Sequence, residues 1–143
     1  DSHASDSPEI QIIKMKKKEE AGASFFITQA VFDTEVLERF IEKVRRKGIK
    51  APVIAGVLLL KSSRMIDYIH KNLPGIRVPG DLAQRIDRAQ DKKAMSTQIA
   101  REIIEKCSGI TNGIHLMPIG WYDLVPEIIG KKAEKNVIFL CNG

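Results

Sequence analysis

The chain has 143 residues, of which 43% are hydrophobic and 29% charged, a composition typical of one globular domain and unlike that of a disordered chain. No apolar run is long enough to span a bilayer and no charged-then-apolar leader opens the sequence, so we expect a cytoplasmic protein that does not contact membranes. The formal charge of +5 does not favour nucleic-acid binding, because basic and acidic residues are interleaved along the predicted helices.

The two cysteines, Cys107 and Cys141, have no Cys-x-x-Cys spacing and no neighbouring pair of histidines. Zinc sites and redox motifs usually need one or the other. We therefore predict two reduced structural cysteines and no metal site.

The first predicted element is a helix that follows an initial loop over residues 1–6. Ser7 is a suitable N-cap, Pro8 suits the first helical position, and Gly22 ends the helix. We expect Ile10 and Ile13 to mark its apolar side. The other side carries four lysines: Lys14, Lys16, Lys17 and Lys18. A solvated face balanced by neighbouring glutamates explains these lysines as well as an anion site does.

A strand predicted over Phe25–Gln29 is the centre of the functional interpretation. It is apolar until it ends in Thr28 and Gln29, and we expect it to be buried on both faces. The polar pair then falls at the carboxyl end of the strand, where α/β folds place their ligands. A buried amide at that end needs hydrogen-bond partners, which a ligand could supply.

The remaining chain continues to alternate between helices and strands. This pattern predicts an α/β fold with parallel strands and outer helices. The tail, residues 131–143, has no certain role, although residues 136–141 resemble a strand that covers a sheet edge or pairs with another chain. The other predicted elements are a helix from Asp33 or Thr34 to Gly48, a strand over Pro52–Leu60, a helix from Ser62 or Ser63 to Leu73, a helix opening at Asp81, a helix over Ala94–Cys107, a strand over Gly113–Ile119, and a helix after Trp121.

Three segments, in this order, resemble the flavin-dependent methylenetetrahydrofolate reductases. Ala21–Asp33 is similar to the sixth barrel strand of that family, Pro52–Leu59 to the seventh and Gly113–Trp121 to the eighth. A complete TIM (β/α)8 barrel typically needs about 250 residues. The resemblance therefore implies a partial barrel of about the last three to four βα units, with residues 1–143 forming a single domain.

The resemblance also implies a function. Members of the family use FAD to reduce 5,10-methylenetetrahydrofolate to 5-methyltetrahydrofolate in one-carbon metabolism and methionine biosynthesis, with NADH or NADPH as electron donor. The family's proton-donating glutamate and its aspartate near the flavin belong to the missing amino-terminal half, so we expect the chain alone to be inactive. Its expected partners are the folate substrate and the missing half or a partner subunit, and a homo-oligomer is compatible with the sequence. The alternative is a non-catalytic half-barrel module that binds folate or a partner subunit.

Four candidate site residues follow from the resemblance, none of them catalytic. Gln29 would hydrogen-bond the pterin, and Tyr68 would stack on the aminobenzoate or the nicotinamide, although residue counting places Ile69 at that position. Lys18 would contact the pyrophosphate side of the flavin cofactor, and His3 would contact the same cofactor. The alternative interpretations are that Tyr68 is an ordinary exposed helix tyrosine and that His3 is an exposed terminal histidine, neither of which binds a ligand.

Overall fold

The structure is a computed structural model that describes residues 7–130 and the backbone of residues 137–140. The predicted initial loop, His3 and Cys141 lie outside the described residues, as does most of the tail. Within the described part no helix is long and apolar enough to cross a membrane. The elements are α1 (Pro8–Glu20), β1 (Phe26–Ala30), α2 (Thr34–Arg46), β2 (Val53–Leu58), α3 (Ser63–Asn72), α4 (Gly80–Arg88), α5 (Lys92–Cys107), β3 (Gly113–Met117), a 3-10 helix (Tyr122–Leu124), α6 (Val125–Ile129) and β4 (Val137–Leu140).

The strands form one sheet in the order β1-β2-β3-β4, and each neighbouring pair is parallel. The predicted α/β fold with parallel strands is therefore confirmed. Strands that follow sequence order with helices between them are consistent with part of a barrel. The number of barrel units stays a prediction. β4, from the tail, pairs with β3 of the same chain.

Side-chain caps start several helices at the predicted positions. The Ser7 hydroxyl accepts a hydrogen bond from the Ile10 N–H, and the Asp33 carboxylate accepts bonds from the first turn of α2. The Ser62 hydroxyl caps α3 in the same way. α5 begins two residues before the predicted start, because the Asp91 carboxylate accepts a bond from the Ala94 N–H.

The main core lies between one face of the sheet and the helices. Val53, Ala55 and Val57 of β2 alternate along the strand and join Ile114 and Leu116 of β3 in this core. The helices supply the other buried side chains, among them Ile41, Ile66, Ile69, Ile86, Ile99, Ile103 and Ile104. β2 is buried along all but its last residue.

The prediction that β1 is buried on both faces is wrong. The side chain of Ile27 is 48% exposed, and Phe25, just before the strand, is 52% exposed. β1 lies at the end of the sheet, and Ile27 alternates with Phe26, which packs on the core. Ile27 therefore faces away from the helices, on the face of the sheet that the described residues leave partly uncovered.

The predicted apolar side of α1 is also not its buried side. Ile10 and Ile13 are exposed, whereas Ile12 is buried against Val44 and Ile49. The helix lies against α2 through this small second core. Its exposed face thus combines isoleucines with the lysines of the same helix.

The amino ends of the strands are joined by a polar network, here called the base. One Glu19 carboxylate oxygen accepts hydrogen bonds from the N–H groups of Lys50 and Ala51, both at 2.7 Å. The Arg45 guanidinium donates to the Ala51 carbonyl oxygen at 2.8 Å and to Asn112 Oδ1 at 3.1 Å. Helices α1 and α2 are thereby bonded to the segments that lead into β2 and β3.

Candidate functional site

The carboxyl ends of β1, β2 and β3 meet at one edge of the sheet, here called the rim. Parallel strands place their carboxyl ends together, and ligands of α/β folds bind there. Gln29 lies at the end of β1, Lys61 follows β2, and Gly120 and Trp121 follow β3.

A β-bulge shapes the end of β1. The register runs from Ile27 opposite Ile54 to Ala30 opposite Gly56, so β1 has one extra residue between these pairs. The Thr28 hydroxyl accepts a hydrogen bond from the Gly56 N–H at 3.0 Å and donates one to the Gln29 carbonyl oxygen at 2.8 Å. The side chain of Thr28 thus replaces a ladder bond that the bulge removes.

Gly56 is required beside this bulge. A Cβ atom there would lie 2.9 Å from the Thr28 carbonyl oxygen and 3.2 Å from the Gln29 carbonyl oxygen. It would also lie 3.2 Å from the Met117 Cε. The absence of a side chain therefore lets the bulged backbone approach β2 closely.

Gln29 is exposed, so the prediction of a buried amide is wrong. The bulge and the end position of β1 are the reason, since no described strand pairs with β1 on its other side. Among the described residues its side-chain amide has no hydrogen-bond partner. An exposed amide offers two N–H donors and an acceptor oxygen to a ligand.

Of the two candidate stacking positions on α3, only Tyr68 presents its side chain to solvent. Tyr68 is 61% exposed, whereas Ile69 is 1% exposed and belongs to the core. Ile69 could not contact a ligand without unpacking that core. The described contacts do not join Tyr68 to Gln29.

Lys18 lies at the other end of the sheet from Gln29. It is an exposed residue of the last turn of α1, and its carbonyl oxygen accepts the Ala23 N–H at 2.9 Å just before β1 begins. The structure therefore does not bring Lys18 and Gln29 together. His3 lies outside the described residues.

A group of side chains at the rim was not foreseen from the sequence. The ammonium nitrogens of Lys61 and Lys93 lie 5.2 and 5.7 Å from the centroid of the Trp121 ring. Lys93 also forms an ion pair with Asp123 at 3.1 Å, and its hydrogen bond holds the pKa of that carboxyl below its ordinary value. We call Lys61, Lys93 and Trp121 the rim cluster.

The sequence contained one signal for this cluster. Lys61 follows directly on the apolar run of β2, as Gln29 follows that of β1, so the rule that selected Gln29 also applied to Lys61. Lys93 had no such signal. It is separated from Trp121 by α5 and β3, and only the packing of the chain brings the two together.

Two surface depressions of about 320 and 500 Å³ lie away from these residues. The smaller is lined by Thr97, Arg101 and Glu127 among others, and the larger by Glu38, Arg45 and Ile110 among others. Neither is lined by Gln29 or by the rim cluster.

A comparison with protein families gives one match that covers most of the chain. The family model described as methylenetetrahydrofolate reductase matches residues 1–133. The chain belongs to the methylenetetrahydrofolate reductase family. The predicted resemblance to this family is thereby confirmed.

Individual relatives agree with the family match. A probable methylenetetrahydrofolate reductase (NADPH) of Caenorhabditis elegans is 28% identical over 124 residues, which are 82% of this chain and 19% of the relative. Methylenetetrahydrofolate reductase (NADH) 1 of Arabidopsis thaliana is 28% identical over 112 residues, 71% of this chain and 18% of the relative. The 5,10-methylenetetrahydrofolate reductase of Escherichia coli is 27% identical over 103 residues, 69% of this chain and 34% of the relative.

The chain thus spans at most about a third of the length of these three relatives. Membership of the methylenetetrahydrofolate reductase family identifies the kind of protein to which this rim belongs. The roles of Gln29, Tyr68, Lys18 and His3 stay predictions, since neither the family match nor the relatives' names test single residues.

Proposed function

We propose that the complete protein containing this chain uses FAD to reduce 5,10-methylenetetrahydrofolate to 5-methyltetrahydrofolate. This chain would supply the carboxyl-terminal half of its barrel. Membership of the family over residues 1–133 carries the proposal. The parallel sheet, with an exposed amide at its carboxyl edge, supports it because α/β enzymes bind substrates at that edge.

Gln29 would bind the pterin of the folate. A pterin edge presents both hydrogen-bond donors and acceptors, and a primary amide can pair with both. The bulge held by Thr28 points this amide into solvent instead of into the sheet. Tyr68, with its exposed ring, would stack on a flat part of the substrate or of the electron donor.

The exposed face of α1 would hold part of the flavin. Lys18 has no ion pair with another described residue, so its ammonium is available to a phosphate group. Ile10 and Ile13 on the same helix offer apolar contact. FAD, when bound, supplies the hydride transfer. His3 is proposed for the same cofactor.

Gln29 can be tested in the complete protein by steady-state kinetics. Replacing Gln29→Ala should lower kcat/KM for methylenetetrahydrofolate about tenfold or more, as expected when a ligand loses a hydrogen bond of about 1.5 kcal/mol. The flavin absorbance should not change. An unaltered kcat/KM would remove Gln29 from the substrate site.

Flavin binding has a matched pair of variants on α1. Lys18→Gln should reduce FAD occupancy measured by visible absorbance, whereas Lys17→Gln, an adjacent exposed lysine, should not. A complete protein that takes up no flavin and reduces no methylenetetrahydrofolate would refute the proposed function.

The chain alone should be inactive. The side chains proposed here bind and orient ligands, and the family's acid and its flavin-side carboxylate belong to the other half. Appreciable reductase turnover by the purified chain, free of other protein, would contradict this prediction.

The alternative proposal is a non-catalytic module that binds folate or a partner subunit. β4 favours it, because this strand occupies the edge of β3 where a closing barrel would add another strand. A visible spectrum separates the two proposals. A yellow, flavin-loaded complete protein supports the enzyme, and a colourless one that still binds folate supports the module.

The electron donor is proposed to be NADH or NADPH. One relative is named as an NADPH enzyme and another as an NADH enzyme, so the chain's similarity to them does not choose between the two donors. Parallel assays with NADH and NADPH would decide. A cytoplasmic location and a homo-oligomer stay predictions.

A further inference from the structure

The rim cluster surrounds one aromatic ring with two cations. Both ammonium nitrogens are within 5.7 Å of the Trp121 ring centroid, which is a favourable cation–π distance. Like charges gathered at one ring repel each other unless an anion offsets them. The only carboxylate that an ion pair joins to the cluster in the described residues is Asp123.

That carboxylate balances one of the two charges. Asp123 pairs with Lys93, whereas the Lys61 ammonium has no hydrogen bond or ion pair with a described residue. Lys61 is also half-buried, so its charge is less well hydrated than that of a fully exposed lysine. One positive charge at the rim therefore lies beside the Trp121 ring without a counter-ion among the described residues.

The backbone around the cluster leaves room for this charge. A Cβ on Gly120 would lie 3.3 Å from the Lys61 Nζ, so the glycine allows the ammonium to approach. The preceding residue, Ile119, has φ 47°, a left-handed conformation that β-branched residues rarely adopt. Strained backbone of this kind is often found at functional sites, and Trp121 follows two residues later.

The start of α3, capped by the neutral Ser62 hydroxyl, adds to the positive potential, whereas the Asp91 carboxylate already occupies the start of α5. α3 begins two residues after Lys61, and α5 begins one residue before Lys93. The amino ends of helices carry partial positive charge and favour anions. The lysines and the start of α3 therefore favour the same kind of ligand at the rim.

We propose that the rim cluster is a binding site for an oxyanion group, a carboxylate or a phosphate, of the ligand held at the rim. The bound oxyanion would supply the counter-charge that Lys61 lacks and would lie beside the Trp121 ring. The two candidate sources, the glutamate carboxylates of a folate and the phosphates of a nicotinamide dinucleotide, rest on the proposed function.

The chain contains its own reporter, because Trp121 is its single tryptophan. Tri-γ-glutamate and inorganic pyrophosphate absorb no light where tryptophan emits, so each can be titrated into the chain while the emission is followed. We expect a saturable change with at least one of them. A change that sodium chloride reproduces at equal ionic strength, or no change up to millimolar concentration, would overturn the site.

Variants test which charges matter. Lys61→Gln should weaken the binding of the responding anion about fivefold, as expected for a half-exposed ion pair, and Lys61→Arg should retain it. Lys106→Gln, at the opposite end of α5 from Lys93, is the matched control and should bind as the unaltered chain does. Unchanged binding by Lys61→Gln would also overturn the proposal.

The titration separates this site from the proposed function. Tighter binding of pyrophosphate assigns the cluster to the dinucleotide, and tighter binding of tri-γ-glutamate assigns it to the folate tail. An anion response in the chain, together with no reductase activity of the complete protein, would support the site and refute the enzyme. No change in the tryptophan emission of the chain, when the complete protein is an active reductase, would overturn the site and support the enzyme.

Discussion

The hydroxyl of Thr28 accepts the Gly56 N–H at 3.0 Å and donates to the Gln29 carbonyl oxygen at 2.8 Å. One side chain thus joins β1 to β2 at the position where the backbone ladder is interrupted. The exposed position of Gln29 follows from this bond, because the bulge it stabilises displaces Gln29 from the regular strand.

Thr28→Val should destabilise the chain by about 1–2 kcal/mol, because the Gly56 N–H would lose its partner beside a buried strand. Urea denaturation followed by circular dichroism measures the free energy of unfolding. Thr28→Ser is the control, since it keeps the hydroxyl. Equal stability of the valine variant and the unaltered chain would mean that this bond contributes nothing.

Gly56→Ala should cost about 2–3 kcal/mol of unfolding free energy, because the new Cβ would meet two backbone carbonyl oxygens that cannot move separately from β1. Gly80→Ala is the matched control, since a Cβ at Gly80 has no atom within 4 Å. It should be neutral or slightly stabilising. The same denaturation experiment applies, and a tolerated Gly56→Ala would be incompatible with the close approach described here.

Glu19 should make stability depend on pH. Hydrogen bonds from the Ala51 and Lys50 N–H groups, more than the neighbouring Lys16, hold the pKa of this carboxyl below its ordinary value. Its stabilising contribution is therefore complete above the unfolded pKa of about 4.3 and is lost as the pH falls through the lower folded pKa.

Glu19→Gln should be less stable than the unaltered chain at neutral pH, and the difference should shrink as the solution is acidified through this range. Thermal melts from pH 7 to pH 3 would measure it. Glu20→Gln, at the exposed neighbouring position, is the control and should follow the unaltered chain. A constant difference between Glu19→Gln and the unaltered chain at every pH would exclude the carboxylate as the titrating group.

Cys107 should resist thiol reagents in the folded chain. Its side chain is buried, and burial raises the pKa of the thiol to about 11, so little reactive thiolate exists at neutral pH. In the variant Cys141→Ser, labelling by a chromogenic disulfide should be slow in buffer and fast in urea. Fast labelling of the folded variant would show that the site opens readily.

The sequence was sufficient for the order of the elements and for much of the core. Ser7, Asp33 and Ser62 were recognised as helix starts because capping is local chemistry. Ile99, Ile103 and Ile104 are buried, and their spacing in the sequence is that of one helix face. Both signals are contained within a few consecutive residues.

The exposure of β1 could not be read in the same way. An apolar run predicts burial on both faces only if other elements cover both faces, and Ile27 faces the side that the described residues leave partly open. The bulge also depends on a contact between Thr28 and Gly56, which are 28 positions apart. Gln29 was therefore placed at the correct end of the strand, but with the wrong exposure.

Two further features depend on contacts between residues far apart in the sequence and could not be predicted from it. Cations at the carboxyl end of a helix such as α2 are commonly explained by helix electrostatics, yet Arg45 donates to the carbonyl oxygen of Ala51 and to Asn112. Lys93 approaches Trp121 only because α5 packs beside the carboxyl end of β3. Spacing along one element cannot reveal either contact.

The base has a practical consequence for experiments on this chain. The side chains of the base, Glu19, Arg45 and Asn112, bond the helices to the amino ends of the strands. Gln29 and Lys61 lie at the carboxyl ends, and their side chains form no comparable hydrogen bonds with described residues. Anchoring and recognition are thus separated by the length of a strand. Substitutions of Gln29 and Lys61 can therefore alter ligand preference without breaking the hydrogen bonds of the base.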